Sequence, residues 1–397
     1  KGDHGWPQSC VKTCLKWLKP LTHDPPGRLQ CDGTLLSRAD SHQAWVHHLT
    51  VQGSWPISLN QSFHDSIERA AAKQVQSARA HIGQGVFDGR TDVAEWHRAA
   101  EGTNTSRACT PFLLHKLLLK SANSSWRSVA SNLQNLCGPS SLCYCPFLWR
   151  FRFLTTVFKK GALAHASSYR SSPMLTCMAV KTGTAFALNR KFFVQIVDSV
   201  QTGYRFDVML HQFTLHTLQD EYRCWKRAFN VFFADFVHAF PRAWRALILA
   251  EAGVSAGTRD GALALLASFL KDDYWQITLS GDSVVRDGSK PRDASTCICF
   301  AAVAIFGSNL RAGFGSGDPH RIPVLFHADD PVFLASSRGE AVRVLSIVAD
   351  WAHDVKASSH LGSHKTVVQG LSGSTEGPTF LAQPVFFRAV LQSSLLL

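Results

Sequence analysis

Three aspartates stand where carboxylates could do metal chemistry. Asp235 ends the apolar run FNVFFAD (229–235), and Asp329 and Asp330 lie between the short apolar runs PVLF (323–326) and VFLA (332–335). The first run has the length of a buried strand that finishes on an acid, and the other two read as a hairpin with two acids at its tip. Carboxylate oxygens are the ligands that hard ions such as Mg²⁺ prefer. Two such ions about 3.5–4 Å apart can activate an attacking oxygen and stabilise a leaving one. Asp235 and Asp329 are far apart in the chain, so only a sheet that makes their strands neighbours can assemble the site. Taken alone, an Asp-Asp pair at a turn is ordinary turn chemistry.

The elements around these acids are read from pattern. Residues 243–252 have helical apolar spacing, and 341–352 read as an amphipathic helix with Val342, Leu345, Ile347, Val348 and Trp351 towards a core. Upstream, 66–80 (SIERAAAKQVQSARA) is rich in helix formers, 23–33 and 98–105 read as loops, and 138–141 (GPSS) is a break. The apolar stretches 262–270 and 298–306 are shorter than the roughly 20 residues a bilayer requires and read as buried helices. No N-terminal stretch has the pattern of a signal peptide, so an intracellular protein without a membrane partner is expected. Lys1 in place of Met suggests a start inside a longer reading frame.

Lys and Arg number 41 against 29 Asp and Glu, a balance of +12, with 18 His besides. The excess is spread along the chain, which favours a basic folded surface over a tail and a polyanion such as nucleic acid as partner. Eleven Cys at irregular spacing give no disulfide framework. Cys137, Cys143 and Cys145 cluster, but no second Cys/His pair follows at zinc spacing, so reduced thiols are expected.

Several short motifs occur in a particular order. Phe158-Lys159-Lys160-Gly161 is followed by Ser168-Tyr169-Arg170, Val180-Lys181, Asn189-Arg190 and Gln201-Thr202-Gly203-Tyr204-Arg205. Then come Ala234-Asp235-Phe236-Val237-His238-Ala239-Phe240, His327-Ala328-Asp329-Asp330 and His364-Lys365-Thr366. Upstream stand Asp32-Gly33 and Trp45-Val46-His47-His48-Leu49. Each motif is weak; in this order they resemble the reverse transcriptase of non-LTR (LINE-type) retrotransposons over roughly residues 30–370.

The resemblance implies an α+β fold of right-hand polymerase fingers and palm, with an antiparallel palm sheet packed by helices. Residues 1–125 would be a linker-like region before the polymerase, 126–228 fingers, 229–370 palm, and 371–397 a tail too short for the family's thumb. Asp235, Asp329 and Asp330 would be the catalytic, metal-holding acids, with Mg²⁺ as cofactor and Mn²⁺ as its substitute. Lys159, Lys160, Arg170, Arg205 and Lys365 would face nucleic-acid or nucleotide phosphates; for each of the first four singly, a solvated basic surface is the plainer reading. The partners implied are an RNA template, a DNA primer and a dNTP, the setting implied is the nucleus, and no protein partner is implied.

The chain also departs from the family pattern. Asp287 stands where the family has a glutamine that positions template and nucleotide, Val284 replaces a glycine and Lys290 a proline. Pro241 replaces the second acid of the first palm motif, His238 its lysine, His327 the tyrosine of the hairpin box, and Ser171 the proline of the fingers motif. Pro331 enters the returning hairpin strand, where it removes a backbone donor. Two expectations follow: a reverse-transcriptase-like domain built for two-metal nucleotidyl transfer, or an inert derivative of one that binds nucleic acid by charge. The departures favour a chain without polymerase activity. An unrelated metal-dependent enzyme would have to produce the ordered motifs by chance.

Overall fold

The computed structural model describes residues 28–53, 61–101, 123–138, 141–174, 208–225, 229–233, 236, 244–255, 261–271, 275–279, 282–286, 324–327, 330–335, 367–371 and 381–383. In chain order these hold β1 (Gln30–Cys31), β2 (Thr34–Leu35), α1 (Arg38–Gly53), α2 (Gln61–Ala80), α3 (Val93–Glu101), α4 (Ser124–Cys137) and the single turn α5 (Phe147–Arg150). Next come β3 (Arg152–Phe158), β4 (Tyr169–Met174), α6 (Val208–Cys224), β5 (Phe229–Phe233), α7 (Arg245–Ser255) and α8 (Gly261–Leu270). The last strands are β6 (Trp275–Leu279), β7 (Asp282–Arg286), β8 (Val324–His327), β9 (Asp330–Ala335), β10 (Val367–Leu371) and β11 (Leu381–Gln383).

Five strands form one antiparallel sheet in the order β11-β10-β5-β9-β8. Consecutive residues Val231 and Phe232 of β5 are both buried, as are Val324 and Leu325 of β8. For β5, the middle strand of the five, a continuous apolar run in place of alternation is the pattern of a strand buried on both faces; β8 carries the same pattern at the sheet edge. Phe232 pairs with Phe333, which pairs with Val324, so three fully buried side chains make one row across the sheet.

A second sheet has the order β4-β3-β6-β7, with β3 and β4 antiparallel and β3 and β6 parallel. The turn after β3 uses Gly161 at φ +107°, a conformation that a side chain strains. Against this sheet packs α1: Trp45 meets the Tyr169 ring edge-on at 5.1 Å, and Leu29, Leu49 and Leu154 complete the cluster. The Tyr169 hydroxyl donates to the carbonyl of Leu163 at 2.9 Å, and burial pushes its phenol pKa up.

Among the described residues the most extensive core is helical, made by α2 against α7 and α8. On α2 the buried positions His64, Ala71 and Ala78 recur every seven residues, and the two alanines let the partner helix approach closely. The approach is so tight at Gly253 of α7 that a Cβ there would lie 2.8 Å from Gln74 Cβ. Nearly every residue of α8 (GALALLASFL) is buried, which agrees with a core helix; among the described residues no helix is long and apolar enough to cross a membrane. Below α2, three side chains of α4 bind Thr91: Ser131 and Asn135 reach its main chain, and Gln134 its hydroxyl.

The structure corrects three local readings. The end of 23–33 is no plain loop: Asp32 and Gly33, both at positive φ (51° and 78°), turn the β1–β2 hairpin, and Asp-Gly is the residue pair that such a turn demands. Residues 98–101 of the expected loop are the last turn of α3. The helix expected over 66–80 starts earlier, at Gln61. The expected helices 298–306 and 341–352 lie outside the described residues.

Candidate functional site: strand ends that carry acids

β5 and β9 are hydrogen-bonded neighbours running in opposite directions, and their last pair is Phe233↔Val332. The chain leaves β5 at Phe233 two residues before Asp235, and β9 opens on Asp330, so both acid-bearing ends lie at one end of the sheet. Asp330 pairs with His327 and belongs to the strand; of the two acids expected at the hairpin tip, only Asp329 lies between the paired ends. Asp235 and Asp329 themselves lie outside the described residues. Phe236, immediately beyond Asp235, is buried.

Pro331 sits in β9 opposite Phe326. In a two-residue hairpin the closing pair, here His327 and Asp330, point their N–H groups at each other, so the next residue's nitrogen faces the opposite neighbour. Pro331 therefore lacks a donor on the β5 side, and the ladder to β5 ends one residue short of it. Asp330 thus stands at the end of β9 that pairs with β8 but not with β5.

Three of the five cations singled out in the sequence are described, and one turn gathers them. Lys159 and Lys160 follow β3 directly, while Arg170 is the second residue of β4 and pairs with Val157. All three are exposed, and the Lys159 main-chain N–H donates to Ser168 O at 2.8 Å, which fixes the turn. Arg205 and Lys365 lie outside the described residues, as do Pro241, Asp287 and Lys290.

The three clustered cysteines are core residues. Cys137 and Cys145 pack with Trp96 and Trp149, whereas Cys143 joins the α2–α7–α8 cluster. None of the three is in a disulfide, and burial pushes the thiol of Cys137 up, away from the thiolate a metal needs. Among the described residues there is no group of three or more His, Cys, Asp or Glu placed to hold a metal.

Sequence reasoning missed one feature. Between α2, α7 and α8 runs an open groove of about 620 Å³ whose lining includes Arg79, Arg245 and Lys271. These residues come from three separate elements, and no spacing in the sequence announces them as neighbours. No protein-family model and no curated protein matches the chain.

Proposed function

We propose that the chain is a reverse-transcriptase-like domain of the non-LTR retrotransposon class that keeps its metal-holding acids and its affinity for nucleic acid but does not polymerise. The observation that carries this reading is the antiparallel β5–β9–β8 arrangement. It sets the strand leading to Asp235 beside the strand opening on Asp330, the juxtaposition two-metal chemistry requires of acids so far apart in sequence. The ordered motifs support the same reading, and so do the three cations gathered at the β3–β4 turn.

In this reading Asp235, Asp329 and Asp330 would hold Mg²⁺ or Mn²⁺, because an all-carboxylate donor set suits hard divalent ions. The ions, when bound, supply activation of an attacking hydroxyl and neutralise charge on a phosphate. Lys159, Lys160 and Arg170, with Arg205 and Lys365, neutralise backbone phosphates of a template or primer. Polymerisation also needs nucleotide and template held within a fraction of an ångström of in-line geometry, and a displacement of about 1 Å costs roughly a hundredfold in rate. Asp287 brings a negative charge where the family has a neutral amide, and Pro331 loosens the strand that aims the acids.

The test is a Mn²⁺ titration followed by electron paramagnetic resonance, with primer extension measured on the same samples. The wild-type chain is expected to bind Mn²⁺, Asp235→Asn and Asp329→Asn to lose that binding, and all three to extend primers only at background. Equal Mn²⁺ binding by all three chains would remove the metal site. Robust extension that disappears in Asp329→Asn would restore a working polymerase.

A further inference from the structure

The groove between α2, α7 and α8 has the chemistry of a polyanion track. Arg79 stands in the last turn of α2, Arg245 opens α7, and Lys271 directly follows α8. Glu68, the one acid among the described lining residues, accepts the Trp244 indole N–H at 3.1 Å and keeps its charge, so three cations stand against one carboxylate. The carbonyl of Leu270, at the negative end of α8, takes Arg245 Nη1 at 2.8 Å. The carbonyl of Lys271, one residue on, takes Arg150 Nη1 at 3.0 Å. The first turn of α7 also opens here at Arg245 and Ala246, where main-chain N–H groups lie beyond the reach of the helix's own carbonyls.

Shape narrows the ligand. Small residues such as Ala72 and Ala267 are among those lining the open groove of about 620 Å³, and a concave site of this kind suits an extended chain better than a flat surface. Trp244 offers no stacking platform: it is buried, with His64 stacked on its ring at 4.4 Å. A base would therefore find no aromatic face there, while a phosphate would find three cations.

We propose that this groove binds the phosphate backbone of single-stranded nucleic acid, without regard to sequence, as a contact separate from the β3–β4 turn. The inference rests on the nucleic-acid reading above and adds to it a location. Binding through exposed cations of this kind is salt-sensitive.

The test compares the full-length chain with Arg79→Gln/Lys271→Gln, both exposed positions, using a fluorescent mixed-sequence oligonucleotide across a salt series. Each phosphate contact on a single strand contributes about 0.7 to the slope of log affinity against log salt. The double variant is expected to lose about 1.4 from the slope and roughly tenfold in affinity at low salt, with an unchanged circular dichroism spectrum. A wild-type chain that binds while the variant keeps its slope and affinity overturns the groove and leaves the nucleic-acid reading standing. A wild-type chain that binds no oligonucleotide at low salt overturns both. Loss of binding to phosphatidylserine vesicles with oligonucleotide binding intact would assign the groove to a membrane and overturn the inference.

Discussion

His48 of α1 is half-buried, and burial holds its pKa below the usual 6.5, with the neighbouring His47 adding to the shift and a main-chain hydrogen bond at Tyr169 opposing it. Between its folded value and 6.5 the unfolded chain therefore carries more protons than the folded one. The stability due to this side chain is complete above pH 6.5 and is lost as pH falls through that window. The His48 ring resonance is expected to titrate below 6.5, and stability in His48→Gln to fall less on acidification than in the wild type. A ring midpoint at or above 6.5 would contradict the burial argument. His47-His48 was legible in sequence only as part of a linker motif; its titration depends on Tyr169, which only folding brings near. The acids show the same division. Asp330 was readable as a carboxylate beside an apolar run, but its place in β9, and not at a tip, depends on pairing with His327.

Among the elements, α7 shows most directly how close packing governs sequence. Gly253 lies inside a helix, where glycine costs about 1 kcal/mol relative to alanine, yet Gln74 leaves no room for a side chain. Gly253→Val is expected to destabilise the chain by roughly 1–3 kcal/mol through overpacking, read as a lower urea midpoint; an unchanged midpoint would mean that α2 and α7 do not cross as closely as described. Helices were the legible part of this layer: the apolar spacing of 243–252 and the helix formers of 66–80 pointed to α7 and α2. The strands were legible in part. β5, β8 and β9 announced themselves as apolar runs, and in β5 the consecutive buried residues Val231 and Phe232 account for that continuous signature. β6 and β7 did not: β6 takes β3 as its parallel partner, and nothing local in WQITL signals a partner so distant.

Across the whole molecule, the excess of basic residues is what supports the proposal of a polyanion as partner. Composition carries that expectation, whereas the location of the basic surface does not follow from it: the β3–β4 turn came from a motif, the α2–α7–α8 groove only from tertiary packing. The parallel pairing of β3 with β6 has a further consequence, in time. On a ribosome adding roughly 5–20 residues per second, β3 and β4 emerge on the order of ten seconds before β6. Through that interval β3 has one side without a neighbour, and an open strand edge recruits other chains. A chain ended before Trp275 is accordingly expected to sediment with the insoluble fraction to a greater extent than one continued past Arg286, and equal solubility of the two would show that something else shields the edge. Slower growth of the chain lengthens the exposure, so the yield of folded protein depends on how quickly translation reaches β6.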